Sequence, residues 1–164
     1  MTSPHTRCKT IFHTFRLSLC APSEMTDPLS IITSAITLLG TCQAIGKTIA
    51  KLICDTDSDA TMEALRADVD SLSTDVNLVL QTCNQSQSSI VHQNLRVEIW
   101  NKIQVEQCEC ENILQEGNEF LGTLRPGFLT TLFLPSPIEQ VQGLRDRISK
   151  HQRSLHFYVS LITK

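Results

Sequence analysis

The sequence predicts an all-α protein, a mostly antiparallel four-helix bundle with an extra short helix near the N-terminus. Its 164 residues fit a single domain. Apolar residues recur at steps of three and four along most of the chain, which is the spacing of one helix face. Aromatic residues make up only 5% of the chain, a composition that suits a helical protein rather than a β-sandwich or barrel. The first two loops are short, which favours antiparallel neighbours.

Residues 1–24 precede the predicted bundle and are basic and rich in Ser and Thr. The apolar residues that share one helical face in this segment are Ile11, Phe12, Phe15 and Leu19. That pattern resembles a mitochondrial presequence. Two other interpretations stay open: a disordered tail, and an extension of the gene model ahead of a true start at Met25. In each case the domain is expected to span residues 25–164.

The first predicted helix, residues 28–53, organises the chain. Asp27 can cap its free N–H groups, and Pro28 loses only a donor that the first turn leaves unpaired. The stripe expected in the core consists of Ile31, Ala35, Leu38, Cys42, Ile45, Ile49 and Leu52. Four further residues widen this stripe: Leu29, Ile32, Ile36 and Leu39. The opposite side, expected in water, carries Ser30, Thr33, Ser34, Thr37, Thr41, Thr48 and Lys51.

The second and third helices are predicted over residues 58–83 and 90–122. The second has the most regular apolar stripe, with heptad spacing, made of Met62, Leu65, Val69, Leu72, Val76, Val79 and Cys83. The stripe of the third contains Trp100, Ile103, Cys110, Leu114, Leu121 and Leu124. Gln107 and Gly117 interrupt it, and Gly117 and Gly122 are expected to divide the helix near its end.

The fourth helix is predicted over residues 137–162, after an apolar connector at 128–134 that is expected to pack across an end of the bundle. Ser136 and Glu139 form a capping box with Pro137 at the first helical position. Its stripe runs through Val141, Leu144, Ile148, Leu155, Tyr158 and Ile162. His151 occupies one stripe position, where we expect a histidine at the bundle edge rather than a ligand.

The sequence carries no catalytic or cofactor-binding signature. No metal-ligand spacing, phosphate-binding glycine loop or nucleophile motif is present in it. The seven cysteines are expected to be reduced, mostly as small buried hydrophobes. The acids of the third helix are expected on a solvated face: Glu106, Glu109, Glu111, Glu116 and Glu119. We therefore expect no enzyme, cofactor, metal or small-molecule substrate, and the net charge of −3 gives no electrostatic case for nucleic acid.

One short motif points to a known family. Residues 25–30, MTDPLS, are followed by small and aliphatic residues up to Gly40 and then by a second helix with heptad spacing. This arrangement resembles the fungal N-terminal domain of STAND proteins, the HeLo-like group also named after the azaphilone pigments biosynthesis cluster protein L. The resemblance covers residues 25–164. It implies a helical bundle that acts in cell-death or incompatibility signalling by moving its first helix, here residues 29–53, to a membrane.

Two functional hypotheses follow. In the first, the chain is a cytoplasmic signalling module whose first helix exchanges protein contacts for lipid on activation, and stable insertion requires several copies. In the second, it is a constitutive interaction scaffold whose first helix stays in the core. Protein partners, self-association and a membrane surface are the expected classes of contact. The residues expected to make it are Leu29, Ile32, Ile36, Leu39, Ile45 and Ile49.

Overall fold

The computed structural model describes residues 28–55, 60–86, 93–124 and 136–163. Within these ranges the chain forms four α-helices: α1 (Pro28–Asp55), α2 (Ala60–Ser86), α3 (Gln93–Thr123) and α4 (Ser136–Ile162). The predicted all-α four-helix bundle is confirmed, and each predicted helix boundary lies within three residues of the observed one. The short helix predicted before residue 25 and the connector at 128–134 lie outside the described residues.

Each helix packs against two neighbours. α1 and α4 both contact α2 and α3, so α1 and α4 face each other across one diagonal of the bundle, and α2 and α3 across the other. The chain therefore passes from α1 to its neighbour α2, crosses the diagonal to α3, and ends in α3's neighbour α4. This crossing between the second and third helices is not visible in the apolar periodicity.

The hydrogen bonds between helices fix their directions. Gln104 of α3 donates to Ser30 near the start of α1, and Thr48 near the end of α1 donates to Asn118. Because both residue numbers rise together, α1 and α3 are parallel. The same argument makes α2 and α4 parallel, from the pairs Asp68 with Arg145 and Asp75 with Gln152. α3 and α4 are antiparallel, from the pairs Glu116 with Arg147 and Glu106 with His151. Consecutive helices thus run antiparallel.

The core is apolar and contains the stripes that the periodicity predicts. All seven predicted stripe residues of α1 and all seven of α2 are buried. In α4, Val159 is buried, whereas the predicted Tyr158 is only partly buried against the core. Interdigitated Leu, Ile and Val side chains of four helices supply the main stabilisation, at about 1.5–3 kcal/mol for each fully buried side chain.

The third helix is continuous through Gly117 and Gly122, so the expected division near its end was wrong. Gly117 is buried. A Cβ at this position would lie 2.7 Å from Leu144 Cδ2 and 3.3 Å from Ile45 Cδ1. The missing side chain therefore lets α1 and α4 approach α3 closely, and the glycine interrupts the stripe for a packing reason.

Candidate interaction surface on the first helix

The six predicted contact residues of α1 divide into two groups. Ile45 and Ile49 are fully buried in the core, with 0% exposure. They cannot touch a partner while the bundle is closed. The other four form what we call the outer strip: Leu29, Ile32, Ile36 and Leu39.

Two residues of the outer strip are open to solvent. Leu29 is 63% exposed and Ile36 is 59% exposed, whereas Ile32 and Leu39 pack partly against the core. The prediction that all four widen the buried stripe was therefore wrong for Leu29 and Ile36. Both lie on the outward side of α1, because the neighbouring helices cover its two flanks. The first half of α1 thus presents aliphatic side chains to solvent, and α1 itself carries no charged residue before Lys47.

The sequence pattern suggested that the hydroxyl side of α1 faces water along its whole length. The structure shows that part of it contacts α3. Gln104 Nε2 donates to Ser30 Oγ at 2.6 Å, and Thr48 Oγ1 donates to Asn118 Oδ1 at 2.8 Å. These bonds place Ser30 and Thr48 against α3. They are polar contacts at the edge of the interface, and they fix the register of the two parallel helices.

The remaining threonines of the first half of α1 satisfy their own hydroxyls. Thr33, Thr37 and Thr41 donate to the carbonyl oxygens four residues earlier, at 2.8, 3.0 and 3.2 Å. A hydroxyl that bonds within its own helix leaves no unpaired donor if the helix meets an apolar phase. The threonines beside the outer strip are therefore compatible with lipid contact as well as with water.

α1 is the described helix that is long and apolar enough to cross a membrane, over Leu29–Cys54. The criterion rests on length and composition only, and the core helix of a soluble protein meets it too. Helical residues near an N-terminus can also meet it as part of a signal sequence. α1 is therefore a candidate membrane helix by these two properties.

An open groove of about 310 Å³ lies between α1 and α2. The residues that line it are Cys42, Gln43, Gly46, Lys47, Ala50, Arg66, Asp70 and Ser73. Burial, with a smaller contribution from nearby Asp70, raises the pKa of the Cys42 thiol from 9.0 to about 12. A thiol with that pKa stays protonated near neutral pH and is a poor nucleophile. The groove therefore offers charged and polar contacts rather than a reactive group.

The other buried thiols behave in the same way. Burial raises the pKa of Cys83 to about 11, and burial, together with nearby Glu106, raises the pKa of Cys110. Among the five cysteines in the described part of the chain none forms a disulfide. In that part, no group of three or more His, Cys, Asp or Glu residues is arranged to hold a metal ion.

Two acids of α3 have partners that the sequence pattern did not indicate. His151 Nδ1 lies 2.6 Å from Glu106 Oε2, and both side chains are only 17% exposed. Arg147 donates to Glu116 Oε2 at 2.9 Å. The expectation of a solvated face was therefore wrong for Glu106, which ties α3 to α4. The partners are 45 residues apart in the chain, so helical periodicity could not have paired them.

Comparison with protein-family models, curated proteins and solved structures found no match. No known relative therefore indicates a function, and the outer strip with its surroundings is the structural feature that points to one.

Proposed function

We propose that this chain is a non-catalytic helical signalling and interaction module that binds a membrane surface through the outer strip of α1. We also propose that the chain is similar to the N-terminal domain of fungal STAND proteins and that it acts in cell-death or incompatibility signalling. The proposal also includes a cytoplasmic resting state from which the module reaches the membrane. Binding, rather than catalysis, is its mode of action.

The observation that carries the proposal is the exposure of Leu29 and Ile36, at 63% and 59%, on the uncharged first part of α1, the described helix that is long and apolar enough to cross a membrane. Exposed aliphatic side chains gain free energy when they leave water. The self-bonded threonines beside them remove the main penalty for meeting lipid. The surface therefore suits an apolar phase without any change in the core.

A scaffold that never meets lipid is the second candidate, and the burial of Ile45 and Ile49 favours it. These side chains hold the second half of α1 in the core. In this alternative the outer strip would contact a protein partner or a second copy. Lipid binding separates the two candidates.

The test uses Ile36→Asp in vesicle sedimentation. About 59% of the Ile36 side chain remains available for burial, so contact with lipid should contribute about 1–2 kcal/mol of the roughly 1.5–3 kcal/mol for a complete side chain. Its loss should weaken binding about 5- to 30-fold. The fold should survive, because Ile36 lies outside the buried stripe, and circular dichroism checks this.

The matched control is Ile138→Asp. Ile138 is 53% exposed near the start of α4, far from the outer strip. The same substitution there should leave vesicle binding unchanged. Equal losses in both variants would mean that added negative charge, not the outer strip, sets the affinity. If the parent chain never sediments with vesicles of any composition, lipid binding is wrong and the scaffold remains.

A further inference from the structure

The exposed large apolar side chains gather in one half of the bundle. We call this half the apolar end; it contains the starts of α1 and α3 and the ends of α2 and α4. Six of the seven such residues in the described ranges lie there: Leu29, Ile36, Leu78, Val105, Phe157 and Leu161. Of the described residues in this group, Ile138 is the one in the opposite half. Within the described ranges, the exposed large apolar side chains are therefore unevenly distributed along the bundle axis.

The acids of the apolar end are few, and α4 covers two of them. α1 carries no charged residue before Lys47, and Asp75 is the last charged residue of α2. Gln152 Nε2 donates to Asp75 Oδ2 at 2.8 Å, and His151 Nδ1 lies 2.6 Å from Glu106 Oε2. α4 thus partly covers these two carboxylates, whereas Glu98 of α3 stays exposed in this half.

The outward side of the end of α4 carries bases and apolar groups together. Its members step by three and four and therefore share one helix face; we call them the α4 stripe: Lys150, Arg153, Phe157 and Leu161. All four are exposed. Among the described residues no acid pairs with Lys150 or Arg153, and Arg153 Nε donates to Ser149 of its own helix. Exposed apolar groups strengthen contact with a lipid interface by the area they bury, and nearby bases add attraction to anionic lipids.

The outer strip and the α4 stripe point in different directions. α1 and α4 lie across a diagonal, so their outward faces are on opposite sides of the bundle. Both cannot lie flat on one membrane. Both can meet it if the bundle stands on its apolar end, because Leu29 lies one residue from the start of α1 and Phe157 lies five residues, or ~8 Å, from the end of α4. Ile36, ~12 Å from the start of α1, then lies at the edge of the lipid contact, and the two bases of α4 lie above it, close enough to attract anionic headgroups. Interfacial side chains commonly reach about 5–10 Å into the headgroup region.

We infer that the apolar end docks on an anionic lipid surface with the helix axes steep to the membrane, and that the α4 stripe is a second lipid contact. The inference rests on the proposed lipid binding of α1 and adds the lipid charge, the second contact and the orientation. The opposite end supports the same orientation. It exposes Glu63, Glu119 and Glu139, which an anionic surface repels.

The orientation is tested by tryptophan fluorescence with brominated phospholipids, which quench indoles that enter the bilayer. Trp100→Phe removes the single natural tryptophan, and circular dichroism confirms the fold. Phe157→Trp and Ile138→Trp then place one probe at each end of α4. Both positions are exposed and nineteen residues, or ~28 Å, apart along the same helix.

Quenching of the probe at 157 without quenching at 138 is the expected result. Quenching of both would show a bundle lying along α4 and would overturn the steep orientation. Quenching of neither, in a chain that still sediments with the vesicles, would remove the α4 stripe as a contact while leaving α1's role intact. No sedimentation at all would mean that the proposed function itself is wrong.

The lipid charge is tested in the natural tryptophan background. Lys150→Gln with Arg153→Gln removes the two bases of the α4 stripe. Lys47→Gln with Lys51→Gln removes two exposed bases from the other half of α1 and changes net charge equally. On phosphatidylcholine vesicles containing phosphatidylserine, the first pair should bind about 30-fold more weakly, which corresponds to about 2 kcal/mol at roughly 1 kcal/mol per base.

The second pair should bind as the parent does, and on pure phosphatidylcholine the first pair should differ little from the parent. Equal weakening by the two pairs would show a response to net charge alone and would overturn the assignment to the apolar end. No weakening by the first pair would overturn the anionic preference.

Discussion

Gln107 provides the sharpest test of how this bundle is held together. Its side chain lies in the core with 0% exposure, and within the described part of the chain neither its Oε1 nor its Nε2 has a hydrogen-bond partner. It occupies a position of the α3 stripe where the sequence pattern otherwise places apolar residues. We predict that Gln107→Leu raises the free energy of unfolding.

The magnitude follows from two contributions. A buried polar group without a partner is unfavourable by about 1–3 kcal/mol. Leu also loses less side-chain entropy on folding than Gln, about 0.5–1 against 1.5–2 kcal/mol. Leu has nearly the same volume, so overpacking should be small. We expect a gain of about 1–3 kcal/mol, which for a chain of this size raises Tm by about 2–4 °C per kcal/mol.

The assay is urea unfolding followed by circular dichroism. The midpoint should rise while the slope stays constant, because the surface exposed on unfolding is the same. Gln104→Leu is the matched control on the same helix, since Gln104 Nε2 donates to Ser30 Oγ at 2.6 Å. That variant should gain nothing. Lower stability of Gln107→Leu would mean that the amide is satisfied in solution, by water or by a second conformation, and our account of the core would be wrong there.

Three further outcomes are expected. His151→Ala should lower the free energy of unfolding by about 1–3 kcal/mol in thermal melts, because it leaves partly buried Glu106 without its partner; an unchanged Tm would contradict this. Burial raises the pKa of Cys42 from 9.0 to about 12 and that of Cys83 to about 11, so the folded chain keeps protons that the unfolded chain releases. Stability should therefore fall as pH rises from 9 towards 11, and Cys42→Ala should make this fall shallower in urea midpoints. A chain that begins at Met25 should keep its cooperative melting, since the helix-start signal first occurs at Asp27; loss of the transition would show that residues 1–24 belong to the fold.

The fold could be predicted from sequence because its main signal is local. The stripe from Ile31 to Leu52 and the heptads from Met62 to Cys83 repeat every three or four residues, and each repeat lies on one face of a helix. Helix type, number and approximate bounds follow from that repeat. The identity of the neighbouring helices does not follow from the repeat, because an apolar stripe has the same spacing whichever helix covers it. The diagonal crossing from α2 to α3 therefore came only from the structure.

The sequence identified the apolar residues of α1 but not which of them are exposed. Leu29 and Ile36 look like the edge of a wide apolar stripe when only the sequence is known, since spacing cannot separate a broad buried face from an exposed strip beside it. Ser30 and Thr48 differ from their prediction in the opposite sense: they were expected to face water, and they contact α3. Their hydroxyls contact Gln104 and Asn118, more than sixty residues away, and nothing local marks them as interface residues.

The burial of Ile45 and Ile49 limits what α1 can do alone. Seven Leu and Ile residues lie between Pro28 and Gly46, and they contribute at most about −4 kcal/mol on insertion at roughly −0.3 to −0.6 each. Removing α1 would expose core side chains of the other helices to water. At about 1.5–3 kcal/mol for each Leu, Ile or Val, three exposed side chains already outweigh that gain.

A single copy should therefore meet lipid with its bundle closed, through Leu29, Ile36 and the apolar end. Spanning the bilayer is a different event, because the buried stripe of α1, from Ile31 to Leu52, would have to leave the core as well. Several inserted copies can gain helix–helix contacts that one copy lacks. Gly40 and Ala35 allow close approach of the helices, and hydroxyls such as that of Ser34 can bond between helices in lipid. Surface docking and insertion should thus depend differently on protein concentration, the first being a property of the monomer and the second of an assembly.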